Sequence, residues 1–205
     1  MKAIAWAVNE CNVDIISMSF GFPEEVPVIS NAILQAVRNR NSSILFFAAA
    51  ANSGANRKEM FPANHNYVIS MRGTNFQGIF QGFNPPPDCD GEAVYGTLGK
   101  EVPSAWLSTY DGEKCQSGTS VATPIAAGIA AMILGYASFS FADCIASKPM
   151  YKSFRKLWTK RGMLSMFNMM SVPMQEKCRY LSPLEFIRKS DEERQAMVIV
   201  ATGRV

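Results

Sequence analysis

Apolar positions along the first fifty residues follow two alternating rhythms. Ile4, Ala7, Val8 and Cys11 recur at the spacing of one helix face. They give way to Asp14-Ile15-Ile16-Ser17-Met18-Ser19-Phe20, a run that is β-branched at its start, apolar almost throughout, and closed by Gly21 and Pro23. Such a run predicts a buried parallel strand. From Pro27 to Arg40, Val28, Ile29, Ala32, Ile33, Ala36 and Val37 gather on one side, and Arg38 and Arg40 lie where a helix C-terminus favours cations. Ser43 to Ala50 is again a continuous apolar run and predicts the next buried strand. Helix, strand, helix, strand in close succession is the rhythm of an α/β fold with a parallel sheet.

Further along, residues 52–65 read as a loop and Tyr67-Val68-Ile69-Ser70-Met71 as another short strand. Residues 73–118, rich in Gly and Pro and holding the stiff run Pro85-Pro86-Pro87, predict short strands and surface loops. A small-residue-rich helix is expected from Ser120 to about Ala137, with Thr119 or Ser120 at its start and Pro124 inside the first turn or so, where a missing N–H is tolerated. The longest apolar run, Val121 to Ala137, contains Pro124, Gly128 and Gly135 and is shorter than the roughly 20 residues that span a bilayer. It reads as a buried helix, and no membrane partner is expected.

Composition narrows the function. With 48% hydrophobic and 18% charged residues in 205, the chain has a core to bury and is not disordered overall. A net charge of +3 is too nearly balanced to imply nucleic acid as a partner. One histidine, His65, argues against a histidine-built metal site. The five cysteines (11, 89, 115, 144, 178) form no Cys-x-x-Cys pair, so neither a zinc cluster nor a disulfide framework is favoured, and a reduced intracellular chain is preferred. The stretch from Met1 to Val8 is interrupted by Asn9-Glu10 and reads as part of a helix, not as a signal peptide.

Charge is segregated. Residues 148–205 hold 12 Lys+Arg against 5 Asp+Glu, and residues 1–147 hold 8 against 12. The tail therefore reads as a basic helical extension of a first unit at 1–147. Within it, Tyr151, Phe154, Leu157 and Trp158 set against Lys152, Arg155, Lys156, Lys160 and Arg161 suit an amphipathic helix. Its apolar side could pack on the rest of the chain or dock on an acidic or lipid surface. Met163, Met166, Met169, Met170 and Met174 read as core fillers, and Asp191-Glu192-Glu193 as the first turn of a last helix.

The chemistry concentrates at Gly118-Thr119-Ser120-Val121-Ala122-Thr123-Pro124, which places a serine at a Gly-containing turn opening a helix. Free N–H groups and the positive dipole end there can hold an oxyanion beside the serine hydroxyl. This string resembles the nucleophile segment of subtilisin-like serine peptidases. Two more segments are similar to that family in the right order. Ile16-Ser17-Met18-Ser19-Phe20-Gly21 resembles its strand ending in Ser-Leu-Gly, which pairs with extended substrate. Ala49-Ala50-Ala51-Asn52-Ser53-Gly54 resembles its Ala-Ala-Gly-Asn-x-Gly turn, with Ala51 where the family usually has Gly. Phe61-Pro62-Ala63 and the strand after it resemble the family's Tyr-Pro-Ala segment. The likeness covers roughly residues 3–138.

The resemblance implies a three-layer subtilisin-like fold, no cofactor, and an endopeptidase that acts on peptide or protein substrates through an acyl-enzyme. It implies Ser120 as nucleophile, Asn52 as the second oxyanion donor, and substrate-binding roles for Ser19, Phe20, Gly21, Ala50, Ala51, Gly54, Gly118 and Thr119. The family's Asp-Ser/Thr-Gly and His-Gly-Thr-His segments, which carry the rest of the triad ahead of the first strand, have no counterpart here. His65 comes after the oxyanion turn and reads as a solvated loop residue. Asp88, Asp90 and Asp111 read as turn residues, and Cys115 as a small loop or core residue. Two expectations follow: the C-terminal half of a larger peptidase whose N-terminal half is a partner, or a remnant serving as a non-catalytic peptide-interaction domain. In either case the first strand should leave an unpaired edge and exposed apolar surface.

Overall fold

A computed structural model of the chain describes residues 2–56, 58–87, 93–105, 107, 112–142 and 154–203. Helix α1 (Lys2–Asn9) leads into strand β1 (Ile15–Met18), and α2 (Pro27–Asn39) into β2 (Leu45–Ala49). Then come β3 (Val68–Thr74), β4 (Val94–Leu98), a hairpin of β5 (Val102–Ala105) and β6 (Glu113–Gln116), and the long α3 (Thr119–Ser140). The tail supplies a 3₁₀ turn (Arg155–Trp158), α4 (Lys160–Met170), β7 (Ser171–Gln175), β8 (Cys178–Leu181), the short α5 (Leu184–Ile187) and α6 (Asp191–Gly203).

Six strands form one sheet in the order β1-β2-β3-β4-β8-β7. All neighbours are parallel except β7 and β8. The apolar runs read from the sequence are its central strands, and their continuity has a physical cause. Leu45 and Phe47 of β2, with Ile69 and Met71 of β3, face α3. Phe46, Ala48 and Val68, with Met18, face α2 and α1. A strand covered on both faces has no place for polar alternation.

Helix α3 lies along β1 to β4. Ala122, Ala126, Ala130 and Ala137 are buried against the sheet, their small side chains permitting close approach. At 22 residues it is longer than the apolar run in the sequence suggests and could cross a membrane by length and composition alone, yet half of its most apolar stretch is packed inside the fold. The helix starts at Thr119, as expected, and Pro124 is its sixth residue, just past the first turn. Its missing N–H would have bonded the Ser120 carbonyl. That carbonyl accepts instead from Ser19 Oγ at 2.9 Å. The end of β1 thus satisfies the group that Pro124 leaves bare.

Residues 154–203 contain the expected helices and also two strands that complete the sheet beyond β4. Phe154, Leu157, Trp158, Met163, Met166, Phe167 and Met170 join the same core as β2, β3 and α3. The apolar side of the basic amphipathic segment is taken up by the chain's own core, where Phe154, Leu157 and Trp158 are buried, while Tyr151 and Lys152 lie outside the described residues. Lys160 Nζ donates to Asn66 O at 3.0 Å and Lys156 Nζ to Thr202 O at 3.2 Å, so two of its cations bind the chain itself. The acidic start of α6 sits in a capping box, Glu193 N donating to Ser190 Oγ at 3.2 Å and Ser190 N to Glu193 Oε2 at 2.8 Å.

At the other edge, β1 has no outer partner among the described residues. Ile15 and Ile16 are half-buried on opposite faces, the pattern of an interior strand. Trp6 of α1 is 62% exposed beside them in the chain.

Candidate active site

The C-terminal ends of β1 and β2 meet the N-terminus of α3, and the residues singled out in the sequence lie there. Asn52 follows β2 on an exposed turn. Its Oδ1 accepts from Thr119 N at 2.8 Å and from Thr119 Oγ1 at 3.1 Å. Both acceptor positions of that oxygen are used, so the amide is held one way round. Its Nδ2 and the N–H of Ser120 take no partner among the described residues. Two donors are therefore free beside a half-buried serine hydroxyl at a helix N-terminus.

Gly118 makes this approach possible. Its φ of 138° is glycine territory, and a Cβ there would stand 3.0 Å from Asn52 Nδ2. Its N–H donates to Gly99 O at 2.8 Å. Gly99 in turn tolerates no side chain, since a Cβ would lie 2.7 Å from the Gly73 Cα. Ser117 Oγ accepts from Glu101 N at 2.8 Å and fastens the entry to the turn.

Along the rim, Ser19, Phe20 and Gly21 are exposed, as is Asn52, while Gly54 is half-buried and Ala50 and Ala51 are buried. Ala51 has φ 158°, at the border of extended backbone, and its Cβ is accommodated in the interior. A Cβ on Gly21 would stand 3.0 Å from the Met60 Cβ. Phe22 and Phe61 exchange backbone hydrogen bonds of 2.7 and 3.0 Å, which fixes the end of this segment. Phe20 and Phe22 meet edge to face at 5.9 Å.

His65 is elsewhere engaged. Its Nδ1 accepts from Tyr67 N at 3.3 Å, which leaves Nε2 to carry the proton towards Ser30 Oγ at 3.2 Å. Its ring packs against Phe61 and Tyr67. It is thus a half-buried packing residue, not the solvated one expected. Burial holds its pKa below the usual 6.5, with Glu25 opposing and Lys160 adding to the shift. The unfolded chain therefore takes up a proton on acidification before the folded one does. Stability present above about pH 6.5 should be lost as pH falls through the depressed folded value. Urea melts between pH 7.5 and 5 should show this slope, and His65→Asn should flatten it; an equal slope in both proteins would disprove the assignment.

Cys115 lies exposed on β6, opposite Pro103, in neither loop nor core. Asp88, Asp90 and Asp111 lie outside the described residues. One site-supporting residue carries no signal in the sequence: Gly99 sits in the Gly- and Pro-rich middle, where turn chemistry accounts for any Gly.

The family model of the subtilases matches residues 1–144. The chain belongs to the subtilase family. Among curated relatives of this subtilase, an intracellular serine protease of Paenibacillus polymyxa is 34% identical over 162 residues, covering 76% of this chain and 46% of its own length. The major intracellular serine protease of Bacillus subtilis (strain 168) is 31% identical over 148 residues, covering 66% and 43%. The chain thus spans less than half the length of these two relatives. Among solved structures, the prenylagaramide maturation protease PagA superposes with a TM-score of 0.66 at 22% identity, covering 98% of this chain and 66% of that one. The self-cleaved protease domain of PatA gives 0.65 at 20% identity, covering 99% and 66%. At these identities the likeness is one of fold, and it extends through the tail that the family model leaves unmatched.

Proposed function

We propose that this subtilase chain carries the nucleophile and oxyanion half of a serine endopeptidase site. The observation that supports it most is the Asn52–Thr119 pairing, which among the described residues leaves Asn52 Nδ2 and the Ser120 N–H as two free donors beside the Ser120 hydroxyl. In the reaction, Ser120 Oγ bonds to the scissile carbonyl carbon while its proton passes to an imidazole. The two donors hold the oxyanion, the C–N bond breaks, and the imidazole returns the proton to the leaving amine. Water then releases the acyl group by the reverse sequence. Substrate backbone lies along Ser19 to Gly21 in the manner of an added strand.

The imidazole comes from outside these 205 residues, since the one histidine is committed to Ser30 and Tyr67. The chain by itself is therefore inactive, and the acid and base belong to an N-terminal subtilase half. The open edge of β1 suits such a half. Helix α1 packs on α2, the helix that crosses from β1 to β2. Right-handed crossovers on one face advance the sheet in one direction. A parallel strand feeding α1 would accordingly pair on the free side of β1.

An active-site-directed phosphonate tests the proposal. Ser120 should resist it in the 205-residue chain and take it once a subtilase N-terminal half carrying Asp and His is supplied. Labelling of the chain alone would refute the inactivity, and no labelling of the folded, completed protein would refute the peptidase reading. The second outcome would favour a non-catalytic domain that binds extended peptide at the same strand end, the reading that the absent base motif supports.

A further inference from the structure

Strand β2 leaves the sheet one residue before the site begins. The Ala50 N–H still donates to Met71 O at 3.1 Å, but the chain then turns off through Ala51 to Asn52 while β3 runs on to Thr74. The next backbone groups of β3 on that side belong to Gly73 and lose their strand partner. Buried backbone groups need a replacement. The Asn84 side chain serves both groups: Oδ1 accepts from Gly73 N at 2.8 Å, and Nδ2 donates to Gly73 O at 2.7 Å and to Gln81 O at 2.8 Å, while Gln81 N also donates to Gly73 O at 3.1 Å. Gly73 lies eleven residues away in sequence, so this is more than the local bonding of a turn residue.

The residue before Asn84 carries the connection to the site. Phe83 O accepts from Gly54 N at 2.9 Å, and Gly54, at φ 63°, lies so close to this loop that a Cβ would stand 2.9 Å from Gly82 O. The turn bearing Asn52 is thereby held by the 81–84 loop, and that loop is held on Gly73 by the Gln81 N–H together with the Asn84 side chain, which alone among the described residues serves the Gly73 N–H. On its other flank Gly73 abuts Gly99, whose carbonyl accepts from Gly118 N at 2.8 Å. Both oxyanion donors are therefore referred to one point on β3. We propose that Asn84 is a positioning residue for the oxyanion site, setting the separation of Asn52 Nδ2 from the Ser120 N–H. The side-chain type suits this role, because an amide of this length offers a donor and an acceptor side by side, which Asp and Leu cannot, and Gln is one methylene too long.

This inference rests on the reading of Asn52 and Ser120 as an oxyanion site, and its test is read separately. In the intact 205-residue chain, Asn84→Ala should speed hydrogen exchange at the Gly54 amide by about tenfold or more relative to Ile69 and Met71, and should shift the Asn52 side-chain amide resonances. Thr97→Val is the comparison, since Thr97 is also buried and donates to Leu181 O at 3.0 Å across the tail side of the sheet. It should leave both signals unchanged. Should Asn84→Ala not fold, Asn84→Ser shortens the side chain and is read on the same signals. Unchanged Gly54 protection and Asn52 resonances in the folded variant, or equal changes in Thr97→Val, would overturn the role of Asn84. Absence of phosphonate labelling in the completed protein would overturn only the peptidase reading.

Discussion

Asn52→Leu, in a chain completed with an acid and a base, should lower turnover by about 10²–10³ with little change in KM. That range belongs to the oxyanion asparagine of subtilisin, a member of the same family, and is carried over from it. The asymmetry between kcat and KM arises because the oxyanion develops only on the way to the tetrahedral intermediate, so a donor facing it lowers the barrier without tightening the bound substrate. Leucine also removes the acceptor of the Thr119 N–H and hydroxyl, a buried loss of about 1–3 kcal/mol in stability. Asn52→Asp separates the two effects, because it keeps an acceptor for Thr119 and loses the donor. Rates normalised to folded protein decide the matter: full turnover in folded Asn52→Leu would exclude this side chain from the oxyanion site. Ser120→Ala in the same completed protein should abolish the acyl-enzyme altogether.

Phe167→Ala should destabilise the whole chain by about 3–5 kcal/mol, a large share of the roughly 5–15 kcal/mol that holds an ordinary domain together. The ring is fully buried, with the Phe47 and Tyr95 rings at centroid distances of 6.1 and 5.9 Å. Phe47 lies in the central strand of the family-matched part and Phe167 in the tail, so the cavity opens at the seam between them. Denaturant unfolding followed by a tail probe and by a β2 probe should give one shared transition, shifted to lower denaturant in the variant. Two separate transitions, with the β2 probe unmoved, would show that residues 1–147 and 148–205 fold as independent units.

What could be read from the sequence, and what could not, follows the range of the interactions. The strand at Leu45–Ala49 was legible because burial on both faces leaves an unbroken apolar run, and that at Ile15–Met18 because Ser17 alone interrupts one. The serine segment was legible because a Gly, a helix start and a proline lie within a few residues. Strand β4 was not, since Gly96 interrupts it for the sake of the Phe80 ring, which a Cβ would meet at 2.8 Å. Strands β7 and β8 escaped because Pro173, Arg179 and Tyr180 break any apolar run, and because the edge that β8 joins lies over eighty residues earlier in the chain. Asn84 escaped for a related reason: its partner Gly73 is set by the path of β3, and no local pattern announces it.

The position of β8 between β4 and β7 also constrains how the protein can be made. The strands that carry the site are synthesised early, but the outer edge of β4 stays bare until Leu181 has emerged, and the sheet face at Phe47 and Tyr95 stays open until Phe167 arrives. At about 5–20 residues per second, translation leaves that apolar surface waiting for several seconds. The most vulnerable species is therefore the nascent chain ending between β4 and β8. In vivo yield should depend on how fast the ribosome passes through the tail and on chaperones that shield a parallel sheet still short of its last strands.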